Sequence, residues 1–115
     1  MNKNAKWIYS PKNKDNRVIT FSKKINLLGE VKKATLYASA IGLYFAEING
    51  ERVSDAVFTP GWTTGNVHTQ YQKYDVTKML TSKKAELSLT AGKGWAIGYL
   101  TWDERDHLYA GHMSV

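Results

Sequence analysis

Apolar and polar positions alternate with a period of two over most of this chain. Ile19, Phe21, Ile25 and Leu27 share one face of a strand whose other face carries Thr20, Ser22 and Lys24, and Lys23 interrupts the apolar side. Leu28-Gly29-Glu30 turns the chain. Leu36, Ala38 and Ala40 then alternate with Thr35, Tyr37 and Ser39, and a second run from Leu43 to Ile48 lies behind Gly42. Asn49-Gly50 supplies two neighbours tolerant of positive φ, as a type I′ turn requires, so Glu51-Arg52-Val53 is expected to return antiparallel.

Further along, Val57-Phe58 reads as a short strand leading into a Pro60-Gly61-Trp62-Thr63 corner, where proline restricts φ and glycine allows a sharp bend. Gln70 to Tyr74 is again strand-like, with Tyr71, Lys73 and Asp75 on one face and Gln72 and Tyr74 on the other. Asp75-Val76-Thr77 offers capping oxygens for one turn containing Met79 and Leu80. Leu87 and Leu89 alternate with Ser88 and Thr90 in a further strand, and Gly92, Gly94 and Gly98 punctuate the segment after Ala91. Gly92-Lys93-Gly94 is too short for a phosphate cradle, has no helix expected after it, and reads as a turn or bulge.

Short strands, frequent turn residues and no helix beyond about one turn predict an all-β fold, an antiparallel jelly-roll-like β-sandwich. Residues 1–17 are polar, with only Trp7-Ile8-Tyr9 suited to anchoring, and read as a partly ordered basic lead-in to a single domain over 18–115. Met113-Ser114-Val115 resembles the opening of another strand, so the domain is expected to be cut short at its C-terminal side. An unpaired edge then invites self-association.

Composition narrows the function. At 115 residues, folding hides about 65 % of the surface of the unfolded chain, enough core for one domain without staples. The absence of cysteine excludes disulfides and thiolate metal sites and permits a reducing compartment. There is no apolar run of the ~18 residues a membrane span needs, and the first residues lack a signal-peptide core. No membrane partner is expected and the cytoplasm is favoured. The net charge of +6 is concentrated early: residues 1–33 hold nine Lys/Arg against Asp15 and Glu30. These lysines read mainly as solubilising a lead-in and its turns rather than as a nucleic-acid groove, with polyanion binding by the arm as an alternative.

Candidate chemistry is sparse. His68, His107 and His112 match no zinc spacing, Ser39, Ser54 and Ser88 lie in no nucleophile elbow, and no catalytic residues are assigned. Asp103-Glu104-Arg105-Asp106-His107 reads as a solvated acidic loop, because neighbours on a strand face opposite ways and Arg105 neutralises the middle. Half of the fourteen aromatic residues fall between Tyr37 and Tyr74, and most of these are expected to fill core. Trp62 and Trp95 also read first as corner or core rings. Sugars, however, are bound by stacking on exposed rings with polar side chains at their hydroxyls. Trp95, Tyr99 and Trp102, with Asp103 and Asp106 after them, have that composition and form the candidate carbohydrate-binding set.

Five blocks taken together carry a resemblance: Ser39-Ala40-Ile41-Gly42-Leu43-Tyr44, Ile48-Asn49-Gly50-Glu51-Arg52-Val53, Thr59-Pro60-Gly61-Trp62-Thr63, Gln70-Tyr71-Gln72-Lys73-Tyr74-Asp75-Val76-Thr77, and Gly92-Lys93-Gly94-Trp95. In order and spacing they resemble the N-terminal β-sandwich domain of bacterial α-L-rhamnosidases, over about residues 5–98. The resemblance implies a non-catalytic accessory domain whose parent glycoside hydrolase carries its acid and base on a separate α/α barrel. It also implies possible partners, the rest of the parent chain and L-rhamnose or rhamnosyl glycans, with calcium assisting in some relatives. Where relatives commonly read Gly-Asp-Gly-Trp-Tyr, this chain has Lys93 and Ala96, which disfavours calcium electrostatically, and no cofactor is assigned. A purely structural or interaction domain is the other reading the residues allow.

Overall fold

The computed structural model describes residues 4–64, 67–99, 102, 105 and 111–115. Among the described residues six strands form: β1 (Ile19–Asn26), β2 (Thr35–Ala38), β3 (Leu43–Ile48), β4 (Glu51–Arg52), β5 (Gln72–Asp75) and β6 (Lys84–Gly92). A 3₁₀ turn spans Thr77–Met79, and a single helical turn, α1, spans Gly94–Ile97. All strand pairs are antiparallel. They make a four-stranded sheet in the order β1-β6-β3-β4 and a two-stranded sheet of β2 and β5.

The alternation along each strand explains how the sheets face each other. On β3, Tyr44, Ala46 and Ile48 are buried while Leu43, Phe45 and Glu47 are only half-buried. Tyr44 and Ala46 cluster with Ala38 and Ala40, and Leu36 of β2, Tyr74 of β5 and Leu89 of β6 pack around them. A second cluster of Ile48, Val76 and Ala85 is closed by Leu36, Tyr74, Met79, Leu80 and Leu87. Residues from both sheets share one core, as in a small, open β-sandwich. Small side chains dominate its centre, so the backbones approach closely and the larger rings are left at the margins.

Local signals explain the turns. Asn49 and Gly50 both have positive φ, 53° and 79°, as the hairpin between β3 and β4 demands. Asn49 also extends the sheet, its N–H donating to the Glu86 carbonyl and its Oδ1 accepting from the Glu86 N–H, both at 2.9 Å. After β5, the N–H and Oγ1 of Thr77 donate to Asp75 Oδ1 at 3.0 and 2.7 Å, which shapes the 3₁₀ turn. At the other end, Ser114 exchanges backbone hydrogen bonds with Ile41, and Val115 with Ile8. Asn16 is buried, its Nδ2 donating to the Gly111 carbonyl and its Oδ1 accepting from the Met113 N–H.

Two expectations about local structure fail. Val57-Phe58 forms no strand: Phe58 adopts φ 58°, a left-handed conformation that cannot continue one, and pairing is limited to a bridge between Tyr44 and Thr59. The chain after Gly94 turns helical, because Lys93 already has αR angles and Ile97 and Gly98 donate back to the carbonyls of Lys93 and Gly94. Four residues are too few to show a 3.6-residue period, so the pattern gave no warning of this turn.

Candidate functional site

The corner after Phe58 is built on Tyr44. The Tyr44 N–H donates to the Thr59 carbonyl at 2.8 Å, and Thr59 Oγ1 donates back to the Tyr44 carbonyl. From β5, Gln72 Nε2 donates to the Pro60 carbonyl at 2.9 Å while Gln72 Oε1 accepts from the Tyr44 hydroxyl at 2.8 Å. That hydroxyl also lies 3.2 Å from Tyr74 Oη and 3.1 Å from the Ala38 carbonyl. Burial, and then the hydrogen bond with Tyr74, push the Tyr44 phenol far above its ordinary pKa, so it remains a protonated donor. The Thr59-Pro60 bond is cis, and the segment leaves the sheet with Trp62 outward.

Two glycines bring α1 to the same place. A Cβ on Gly42 would lie 2.3 Å from the Gly92 carbonyl oxygen, and one on Gly94 would lie 2.5 Å from Leu43 Cγ. Both residues have positive φ, 127° and 53°. Only glycine allows the end of β6 and the start of α1 to sit this close to the start of β3. The close approach sets Trp95, the second residue of α1, beside the corner.

There the indoles of Trp62 and Trp95 stack, with centroids 5.9 Å apart and planes 9° from parallel, and Phe58 lies 6.0 Å from Trp95 at 51°. Such pairs contribute about 0.5–1.5 kcal/mol each beyond the area they bury. Trp62 nevertheless remains 60 % exposed and Phe58 65 %, with Trp95 half-buried between them. Beside the stack lies a cavity of about 50 Å³ lined by Ala40, Ile41, Gly42, Pro60, Gly61, Thr63, Thr69, Trp95 and Ala96. Enclosed ligand sites usually need about 300–1,000 Å³. The corner is therefore a platform with a small cleft, fit for stacking against one face of a flat or ring-shaped ligand.

This corrects the expectation that most rings between Tyr37 and Tyr74 fill core. Tyr44 is buried, but Tyr37, Phe58, Trp62 and Tyr71 are exposed. Of the candidate set, Trp95 joins the platform. Tyr99 comes after α1 and is 70 % exposed, and Trp102 is fully exposed; no ring contact joins either to Trp95 among the described residues. Asp103 and Asp106 lie outside the described residues, as does His107. His112 packs on Tyr9, centroid to centroid 4.4 Å, and His68 is exposed on the loop after the corner. Sequence reasoning missed Trp62 and Phe58 as partners of Trp95; the only signal was that the blocks containing Trp62 and Trp95 both belong to the family pattern.

At the corner, Lys93 does not suit calcium. Among the described residues no three His, Asp or Glu groups converge, and the position before Gly94 is an exposed lysine, whose charge repels a cation. No described helix is long and apolar enough to cross a membrane.

Residues 29–115 match the family described as the α-L-rhamnosidase N-terminal domain. The chain belongs to that family. It is 42 % identical over 69 residues to an α-L-rhamnosidase of Streptomyces avermitilis, covering 60 % of this chain and 7 % of that protein. An α-L-rhamnosidase of Formosa agariphila is 32 % identical over 108 residues, 85 % of this chain and 12 % of the relative. In three dimensions it is similar to the crystal structure of native α-L-rhamnosidase from Aspergillus terreus, with TM-score 0.82, 34 % identity and coverage of 85 % of this chain and 12 % of that one. It is likewise similar to the Streptomyces avermitilis α-L-rhamnosidase complexed with L-rhamnose, with TM-score 0.78, 31 % identity and coverage of 86 % and 10 %. The chain thus spans only about a tenth of the length of these enzymes.

Proposed function

We propose that this chain serves as a non-catalytic accessory domain of an α-L-rhamnosidase-like glycoside hydrolase, supporting its catalytic domain and binding terminal L-rhamnose at the aromatic corner. The observation that carries the sugar reading is the exposed, nearly parallel stack of Trp62 on Trp95, held in place by the Gly42–Gly92 contact. A ring so held keeps its orientation without a ligand, and this lowers the ordering cost of stacking a sugar face on it. One relative in this family was crystallised with L-rhamnose, which supports the choice of sugar.

In this reading Trp95 and Trp62 meet the apolar C–H face of the sugar. Tyr99 and Trp102 add exposed rings, and Asp103 and Asp106 accept hydroxyl hydrogen bonds. Lys93 takes the place of an acidic residue, so binding proceeds without calcium. Calorimetric titration of L-rhamnose into the chain, with and without calcium, tests this. The expected result is weak saturable binding that calcium does not strengthen and that Trp95→Ala removes. Absence of heat at tens of millimolar sugar would reject the sugar role and leave the supporting role alone, which a gain in stability on restoring the rest of the parent chain would test separately.

A further inference from the structure

A second surface lies at the small sheet, where two segments bring lysines together. Lys32 and Lys33 precede β2, and Lys78 sits on the 3₁₀ turn after β5. With Asp75 and Thr77 they line an open groove of about 550 Å³. The segments are tied by backbone and side chain: the Val76 N–H donates to the Ala34 carbonyl at 3.1 Å, and the Ala34 N–H donates to Thr77 Oγ1 at 2.9 Å. The groove's one acid is engaged by the fold, since Asp75 Oδ1 accepts both Thr77 donors. Among the described residues, none of the three lysines forms an ion pair within 4 Å. Three lysines thus line the groove with a single carboxylate, which balances only one of their charges.

The same exposed face continues along the sheet. Asp75 and Lys73 alternate outward on β5, and Lys73 pairs in register with Tyr37 of β2. Lys73 Nζ lies 5.8 Å from the centre of the Tyr37 ring, and Tyr37 lies 6.1 Å from Tyr71. Both rings are exposed. Two strand residues span about 6.6–6.8 Å. The strip therefore runs from cations to a pair of neighbouring, mutually tilted rings over a distance comparable with a few sugar units.

We propose that this strip binds an acidic polysaccharide, with Lys32, Lys33 and Lys78 contacting carboxylate or sulfate groups and Tyr37 and Tyr71 stacking on sugar faces. The groove is open, as a chain passing through it requires, and its lining contains no arginine, the side chain that phosphodiester readers favour. The lysine groove shares no lining residue with the cleft beside the Trp62–Trp95 corner, and the inference does not rest on rhamnose binding there.

The test is ¹H–¹⁵N NMR of the whole chain titrated with oligogalacturonate, dextran sulfate, neutral dextran and a single-stranded DNA oligomer. Amides of Lys32, Lys33, Lys73 and Lys78 are expected to shift with at least one acidic glycan and not with neutral dextran. Response to oligogalacturonate alone assigns carboxylate, and response to dextran sulfate alone assigns sulfate. Combined K32A, K33A and K78A substitutions should weaken binding about tenfold, as three exposed ion contacts would, and Tyr37→Ala should weaken it while the spectrum stays folded. Shifts confined to residues 4–17, equal affinity for the DNA, or no shift with either acidic glycan would overturn the proposal.

Discussion

The Tyr44 hydroxyl donates to Gln72 Oε1 at 2.8 Å, joining β3 to β5 through the core between the two sheets. Because the Gln72 amide then donates to the Pro60 carbonyl, the corner that carries Trp62 is tied to this part-buried pair as well as by bonds within its own loop, such as Thr63 Oγ1 to the His68 carbonyl. Tyr44→Phe should cost about 1–3 kcal/mol, since it leaves the Gln72 oxygen without its donor in a largely buried setting. Urea unfolding of Tyr44→Phe, Gln72→Leu and the double variant checks it. A coupling above about 0.5 kcal/mol is expected, and additivity would show that the two side chains act independently.

The glycine contact predicts a sharper contrast. Gly42→Ala places a methyl group 2.3 Å from the Gly92 carbonyl at φ 127°, so it should destabilise by about 2–4 kcal/mol and pull Trp95 away from Trp62. Gly29→Ala, with nothing within 4 Å of the added carbon, should stay within about 0.5 kcal/mol. Thermal unfolding and tryptophan fluorescence of the two variants decide this. Equal stability would mean that the close approach is not what positions α1.

A third prediction concerns acid. The Thr77 hydroxyl and then the Thr77 N–H hold the Asp75 carboxyl below the ordinary aspartate value; desolvation opposes them, and the charges of Lys33 and Lys78 add still smaller lowering effects. A carboxyl depressed in the folded state stabilises the fold above its unfolded pKa, and that contribution is lost as pH falls through the lower folded pKa. Thr77→Val keeps the N–H and removes the hydroxyl. It should raise the Asp75 midpoint in a ¹³C carboxyl titration and shift acid unfolding to higher pH, and an unchanged midpoint would contradict the assignment.

How far the amino-acid pattern reaches is clear from particular residues. Period-2 alternation marks β2, β3, β5 and β6 because each has one face on a shared core, and Asn49-Gly50 marks its hairpin because few other pairs accept two positive φ values. Asp75 and Thr77 mark the turn after β5, where the Thr77 N–H and hydroxyl donate to Asp75 Oδ1. Phe58 cannot be read this way: its φ of 58° sits beside the hydrogen bonds of Thr59 to Tyr44, which are long-range. The same holds for the Trp62–Trp95 stack. Its partners are far apart in sequence and meet only because glycines at 42 and 94 let β3, β6 and α1 touch. Ring exposure has a related cause: alanines predominate in the buried cluster around Tyr44, which leaves less room for rings than the aromatic count implies.

If the Trp62–Trp95 corner is a sugar platform, the indole ¹H–¹⁵N resonances of the four tryptophans report on it directly. On titration with L-rhamnose in the absence of calcium, the Trp62 and Trp95 indoles should move together along one saturating curve while Trp7, near the paired chain ends, stays still. If Trp62 and Trp95 are unmoved at sugar concentrations of tens of millimolar, the corner is a structural contact and the sugar-binding account is wrong.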